Sequence, residues 1–242
     1  MTTAIKESFY PVSENLMKSI TFWLILLLGT VSCTGLPKLD PVNPSIIPDI
    51  HKRCSDVFLE GKWQFIHLIE FTMPGNKKSF VMGITVISPE ERKIKSVIMT
   101  IEGFVLLDAY YDQKVVINRG IPPFDSIDFA RSMMDDIKLM FFKPEASLVE
   151  SGMSGDGSHI CRYKNAAGSV IDVITNSGCD WEIRKYNQGG NLIKTVKADH
   201  CKKVLGSPNK IGFPGKIELA SRGINRYALA FELKEAKRLN NF

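Results

Sequence analysis

The feature that most constrains this chain is a long succession of short apolar runs of period two, separated by turn residues. Trp63, Phe65, His67, Ile69 and Phe71 alternate with Gln64, Ile66, Leu68 and Glu70, and Met73-Pro74-Gly75-Asn76 turns the chain. Runs over 80–87, 93–101, 104–111 and 115–118 follow, broken by Ser88-Pro89, Gly103 and Asp112-Gln113. Successive strand side chains point to opposite faces, so runs of this kind joined by short turns predict an antiparallel meander. A second meander is predicted over 159–164, 170–175, 180–186 and 192–197, with turns at 165–168, 176–178 and 188–191. Strands over 215–220 and 226–234 close the chain, the last with Tyr227, Leu229, Phe231 and Leu233 on one face. The total is eleven strands.

Two stretches have helical spacing. Ile50, Cys54, Val57 and Phe58 share one face after a cap at Asp49, and Gly61 stops the run. In mid-chain, Asp125 or Ser126 caps a helix that reaches about Phe142, before Pro144. Its stripe is Ile127, Ala130, Met133, Met134, Ile137 and Met140, with Phe141. Both alternating sets of the 104–111 strand are mostly apolar, so something covers each face or one face binds something apolar. The mid-chain helix is the candidate cover. Methionine adapts its shape cheaply, which suits a flexible ligand as well as a plain core. Residues 151–158 (SGMSGDGS) lack the spacing of a hydrolase elbow or a phosphate loop and read as loop.

Residues 17–33 (MKSITFWLILLLGTVSC) have one basic residue, about nine apolar ones, then small residues and a cysteine. That core is far short of the roughly 20 residues a membrane-spanning helix needs, so it reads as a signal segment. The ending at Cys33 resembles the lipobox of bacterial lipoproteins, with Thr30 where that family usually has Leu. The resemblance implies cleavage before Cys33 and acylation of that cysteine. Residues 1–16 carry Pro11, Glu7 and Glu14, unlike a signal n-region, which favours Met17 as the true start. The expected organisation is a signal over 1–32, a proline-rich lipidated tether over 33–48, and one domain over 49–242. The formal net charge of +5 stays unchanged without residues 1–32, and no block of Lys or Arg stands out. Nucleic acid is therefore not an expected partner.

Cys54, Cys161, Cys179 and Cys201 remain, an even number that reads as disulfides in an exported protein. A hairpin centred on Gly190 would set Cys179 opposite Cys201, leaving Cys54 with Cys161. His159 near Cys161 and His200 beside Cys201 raise a metal site, but no close pair of C-x2-C type exists, and no metal is expected. Asp135-Asp136 are neighbours about 100° apart on a helix and read as a solvated face. Asp108, in an apolar strand, is the acid expected to be buried. No catalytic residues are assigned, and no enzyme is expected.

The order of elements resembles the LolA/LolB class of bacterial lipoprotein carriers and receptors. The residues that carry the resemblance are 69–75 (IEFTMPG), Gly83, 101–104 (IEGF), 137–144 (IKLMFFKP) and 213–219 (FPGKIEL). Neither the exposed apolar loop that LolB uses in membrane insertion nor a specific arginine of LolA is placed in this sequence. The resemblance implies a mainly β fold with α: a half-open antiparallel barrel of about eleven strands, with a helical lid over an apolar cavity. Phe65, Phe80, Met82, Phe104 and Leu106 of the strands, with Met133, Met134 and Met140 of the lid, are the candidate ligand contacts. The function implied is binding or transfer of a lipid or a lipoprotein acyl chain, with no cofactor beyond the covalent lipid on Cys33. Thr34 is not the Asp of inner-membrane retention, which implies an outer-membrane anchor facing the periplasm. The alternative is a scaffold subunit of an envelope assembly, with a filled barrel core.

Overall fold

The computed structural model describes residues 35–73, 77–176, 180–202, 212–223 and 226–239. Cys33, Thr34, Met17 and the signal segment lie outside the described residues. Twelve strands among the described residues form one antiparallel sheet. They are β1 (Lys62–Met73), β2 (Lys77–Ser88), β3 (Lys93–Met99), β4 (Val105–Asp112), β5 (Lys114–Gly120), β6 (Ser147–Met153), β7 (His159–Lys164), β8 (Val170–Thr175), β9 (Trp181–Tyr186), β10 (Leu192–Lys202), β11 (Phe213–Ser221) and β12 (Tyr227–Leu239). Their spatial order is β5-β4-β3-β2-β1-β12-β11-β10-β9-β8-β7-β6. The first and last strands of the chain pair at the centre, while β5 and β6 stand at the two ends without pairing to each other. The barrel is half-open, and mainly β as expected.

The sequence reading falls one strand short, and the missing strand is β6. It is an end strand whose first four residues are exposed, Leu148 and Val149 included. With no buried face there is no alternation to read. Residues 151–153, expected as loop, pair with β7, and the turn begins only at Ser154.

The α-helices among the described residues are α1 (Ile47–Ser55), which follows a single 3-10 turn at Pro44–Ile46, and α2 (Ile127–Phe141). The cap of α2 is Ser126, whose Oγ accepts from the Phe129 N–H at 3.5 Å. α1 packs against β6, β7 and β8, and α2 against β5. Cys54 of α1 is joined to Cys161 of β7, with Cα atoms 6.2 Å apart. The pairing of Cys179 with Cys201 falls on Cys179, which lies outside the described residues. Along the described ladder Trp181 faces Ala198, one residue short of the Asp199 that a hairpin centred on Gly190 would set there, and Cys201 is itself disulfide-bonded.

The stretch expected as a tether runs along the outside of the barrel from Pro37 onward. Leu39 is buried with Ile160 and Ile174, and Asp40 exchanges backbone hydrogen bonds with Met153 of β6 at 2.8 and 3.1 Å. Gly152 permits this approach, since a Cβ there would lie 2.7 Å from the Asp40 carbonyl oxygen. Beside it, Arg162 makes a bidentate pair with the fully buried Asp172 (2.8 and 2.9 Å), reaches Glu150, and donates to the Pro37 carbonyl at 2.8 Å.

Candidate functional site: an apolar cavity under α2

Between α2 and the inner face of β1–β4, β11 and β12 lies a cavity of about 700 Å³. Strand alternation decides which residues reach it. From β1 these are His67, Ile69 and Phe71, joined out of alternation by Thr72; from β2, Ser79, Val81, Gly83 and Thr85; from β3, Ser96 and Ile98. β12 contributes Tyr227, Leu229 and Phe231, three of the four residues predicted to share a face. The lid contributes Phe129, Ser132, Met133, Asp136, Ile137, Met140 and Phe141. Pro123 and Phe124, in the loop before the helix, close one side, and the Phe124 and Phe129 rings meet edge to face at 5.3 Å.

Of the eight candidate ligand contacts, Leu106, Met133 and Met140 line this cavity. The other five do not. Phe80 and Met82 alternate with Val81, Gly83 and Thr85, so the strand turns them outward, and Phe80 is 45% exposed. Phe104 precedes β4 and is 52% exposed, with the Arg119 guanidinium 5.9 Å from its ring centre. Phe65 sits deeper, stacked on Phe141 with centroids 5.3 Å apart. Met134 is fully buried, about 100° around the helix from Met133, and does not line the cavity. Leu106 faces inward for a reason alternation hides. In the β3–β4 ladder Ile98 pairs with Leu107 and Met99 with Val105, so Leu106 is the extra residue of a bulge.

The polar lining is sparse. Asp136, expected on a solvated face, is 4% exposed. Its carboxylate accepts from Lys194 Nζ on β10 and from the Tyr227 hydroxyl on β12. Burial pushes the Asp136 carboxyl up from the ordinary carboxylate range, while Lys194 and Tyr227 pull it back. Asp135, one residue earlier, is exposed and paired with Lys138. Asp108 is only half-buried and accepts from Asn118 at 3.3 Å. The acids buried among the described residues are Asp136 and Asp172.

His67 is 6% exposed, and burial holds its imidazole down at about 4. Its ring contacts are aromatic: Phe65 at 5.8 Å and Phe231 at 5.9 Å. Thr85 and Ser96 share a hydrogen bond of 3.3 Å on the same wall. Sequence reasoning missed both Asp136 and His67 as cavity residues, although each left a signal. Asp136 stands three residues after Met133 and four before Met140, on the lid's apolar stripe. His67 is the one polar member of an inward-facing set of five.

No family model matches the sequence, and no curated protein matches it. The structure resembles that of a LolA superfamily protein from Nitrosomonas europaea, with a TM-score of 0.51. The two share 9% identity over 80% of this chain and 94% of that one. The fold is LolA/LolB-like. A solved structure described as a putative outer membrane lipoprotein-sorting protein domain from Vibrio parahaemolyticus aligns at 8% identity and a TM-score of 0.47, over 80% of this chain and 92% of that one. In this LolA/LolB-like chain the turn between β3 and β4 exposes Ile101 (60%) as well as Phe104, between the cavity-lining Ile98 and Leu106.

Proposed function

We propose that this chain is an envelope lipoprotein, acylated at Cys33, whose barrel binds or hands over a hydrophobic molecule: a lipid or the acyl chain of another lipoprotein. The observation that carries the reading is the cavity. A scaffold with a filled core would pack α2 directly onto the strands, yet about 700 Å³ separates them. That lies within the range of about 300–1,000 Å³ typical of small-molecule sites. At roughly 0.8 kcal/mol per buried CH₂, a chain of about 14 carbons would gain on the order of 10 kcal/mol before ordering costs. The name of the Nitrosomonas protein, a LolA superfamily member, agrees with this reading. The exposed Ile101 and Phe104 suit contact with a membrane surface. The reading is of a non-enzymatic carrier or receptor on the periplasmic side of the outer membrane.

The test is native mass spectrometry of the full chain purified from a bacterial envelope, beside a Leu106→Trp variant that fills the cavity. A discrete added mass that solvent extracts as lipid, absent from Leu106→Trp, is the expected result. A bare wild-type chain that also fails to take up a fluorescent fatty acid overturns the proposal.

A further inference from the structure

Within that lipid-binding reading, on which this inference rests, one side chain has no structural role to account for it. His67 is more than nine-tenths buried and lines the cavity, in the middle of a strand face otherwise built from Trp63, Phe65, Ile69 and Phe71. Its ring meets Phe65 and Phe231 and makes no hydrogen bond to any described residue. Its ring nitrogens are not sealed in the protein, since the buried side-chain polar atom left without a partner among the described residues is Thr175 Oγ1; they open onto an apolar cavity, where a polar group without a partner costs free energy and stability alone would favour an apolar residue. Gly83, opposite His67 in the β1–β2 register, also lines the cavity, and the room its missing side chain leaves is taken by Ile69, whose Cδ1 a Cβ there would meet at 2.8 Å. The hydroxyls of Thr85 and Ser96 continue the same wall.

The charge in the cavity narrows what His67 meets. The titratable side chains of the lining are His67, Asp136 and Tyr227. Lys194, the cation that meets the lining Asp136, is already neutralised by it. A carboxylate entering here would lack a counter-charge in an apolar surrounding, which is strongly unfavourable. A neutral imidazole, by contrast, offers one N–H donor and one lone pair. Those match an ester or amide carbonyl, or a hydroxyl.

We propose that His67 is the polar anchor of the cavity, hydrogen-bonding an uncharged ester, amide or hydroxyl group of an acylated ligand, so that esterified chains are taken in preference to free fatty acids. The ligand's acyl chain lies against Met133, Ile137 and Met140, and its first polar group stops at His67.

The test compares monoolein with sodium oleate, which share one acyl chain, by displacement of a fluorescent lipid probe from the full chain at pH 7.5. Wild type is expected to bind monoolein about tenfold more tightly, the worth of one hydrogen bond. His67→Leu should lose that preference, and His67→Gln, which keeps a donor and an acceptor, should retain most of it. NMR of the wild-type His67 ring gives a readout that needs no variant, and its nitrogen resonances should move on adding monoolein. Equal affinities in wild type, an unchanged preference in His67→Leu, or unmoved ring resonances overturn the anchor and leave lipid binding standing. Failure of wild type to bind either probe overturns the lipid-binding reading beneath it.

Discussion

Asp136 of the lid helix is ion-paired with Lys194 of β10, 58 residues later in the chain, and the carboxylate is almost wholly buried. Among the described residues, it is the one ion pair that ties α2 to the far half of the sheet. Removing one partner of such a pair leaves a charge unpaired, at a cost of about 3–5 kcal/mol. Asp136→Leu should therefore lower stability by that order in urea denaturation. The double variant Asp136→Leu/Lys194→Met should recover most of the loss.

His67 gives the protein an acid-sensitive term. Its folded-state value of about 4 lies below its ordinary 6.5, so between the two the unfolded chain binds the extra proton. Stability then rises with pH through that window and is lost as pH falls from about 6.5 to about 4. The loss is of order 3 kcal/mol. Denaturation at pH 7.5 and pH 4 should show wild type losing about that much more than His67→Leu, in which Asp136 and Tyr227 are unchanged.

The Cys54–Cys161 bond closes a loop of 107 residues and pins α1 to β7. Loops of that length lie at the upper end of disulfide stabilisation, and removal of a native bond costs about 2–5 kcal/mol. A Cys54→Ala/Cys161→Ala chain should melt at lower temperature by calorimetry. The wild type should fall toward it when reduced.

Arg162 holds the segment around Pro37 and Leu39 to the outside of the barrel through Asp172, Glu150 and the Pro37 carbonyl. Arg162→Leu strands the buried Asp172 carboxylate and should destabilise by about 3–5 kcal/mol. It should also speed limited proteolysis in residues 36–46 relative to the rest of the domain. A cleavage pattern like that of wild type would count against this account of how the segment is held.

Much of the fold was legible because period-two alternation marks any strand with one buried face. The set Trp63, Phe65, His67, Ile69 and Phe71 fell on the inner face as read, as did Tyr227, Leu229, Phe231 and Leu233. The lid's start at Ser126 was legible from cap chemistry. β6 was not, because an end strand exposed on both faces leaves no pattern. The candidate contacts were chosen by size and apolarity, and five of eight missed the cavity because those properties do not distinguish outward Phe80, deep Phe65 and lining Met133.

By itself, then, the sequence determined eleven of the twelve described strands, the turns between most of them and the presence of a helix able to cover an apolar face. These are local matters of periodicity, turn residues and caps. Only the tertiary structure decided that β1 pairs with β12 and that Leu106 turns inward at a bulge. It alone shows that Asp136 leaves water to meet Lys194 and that a space remains between the lid and the sheet. Each of those depends on contacts between residues far apart in the chain, and a side chain lining a void has the same composition as one filling a core.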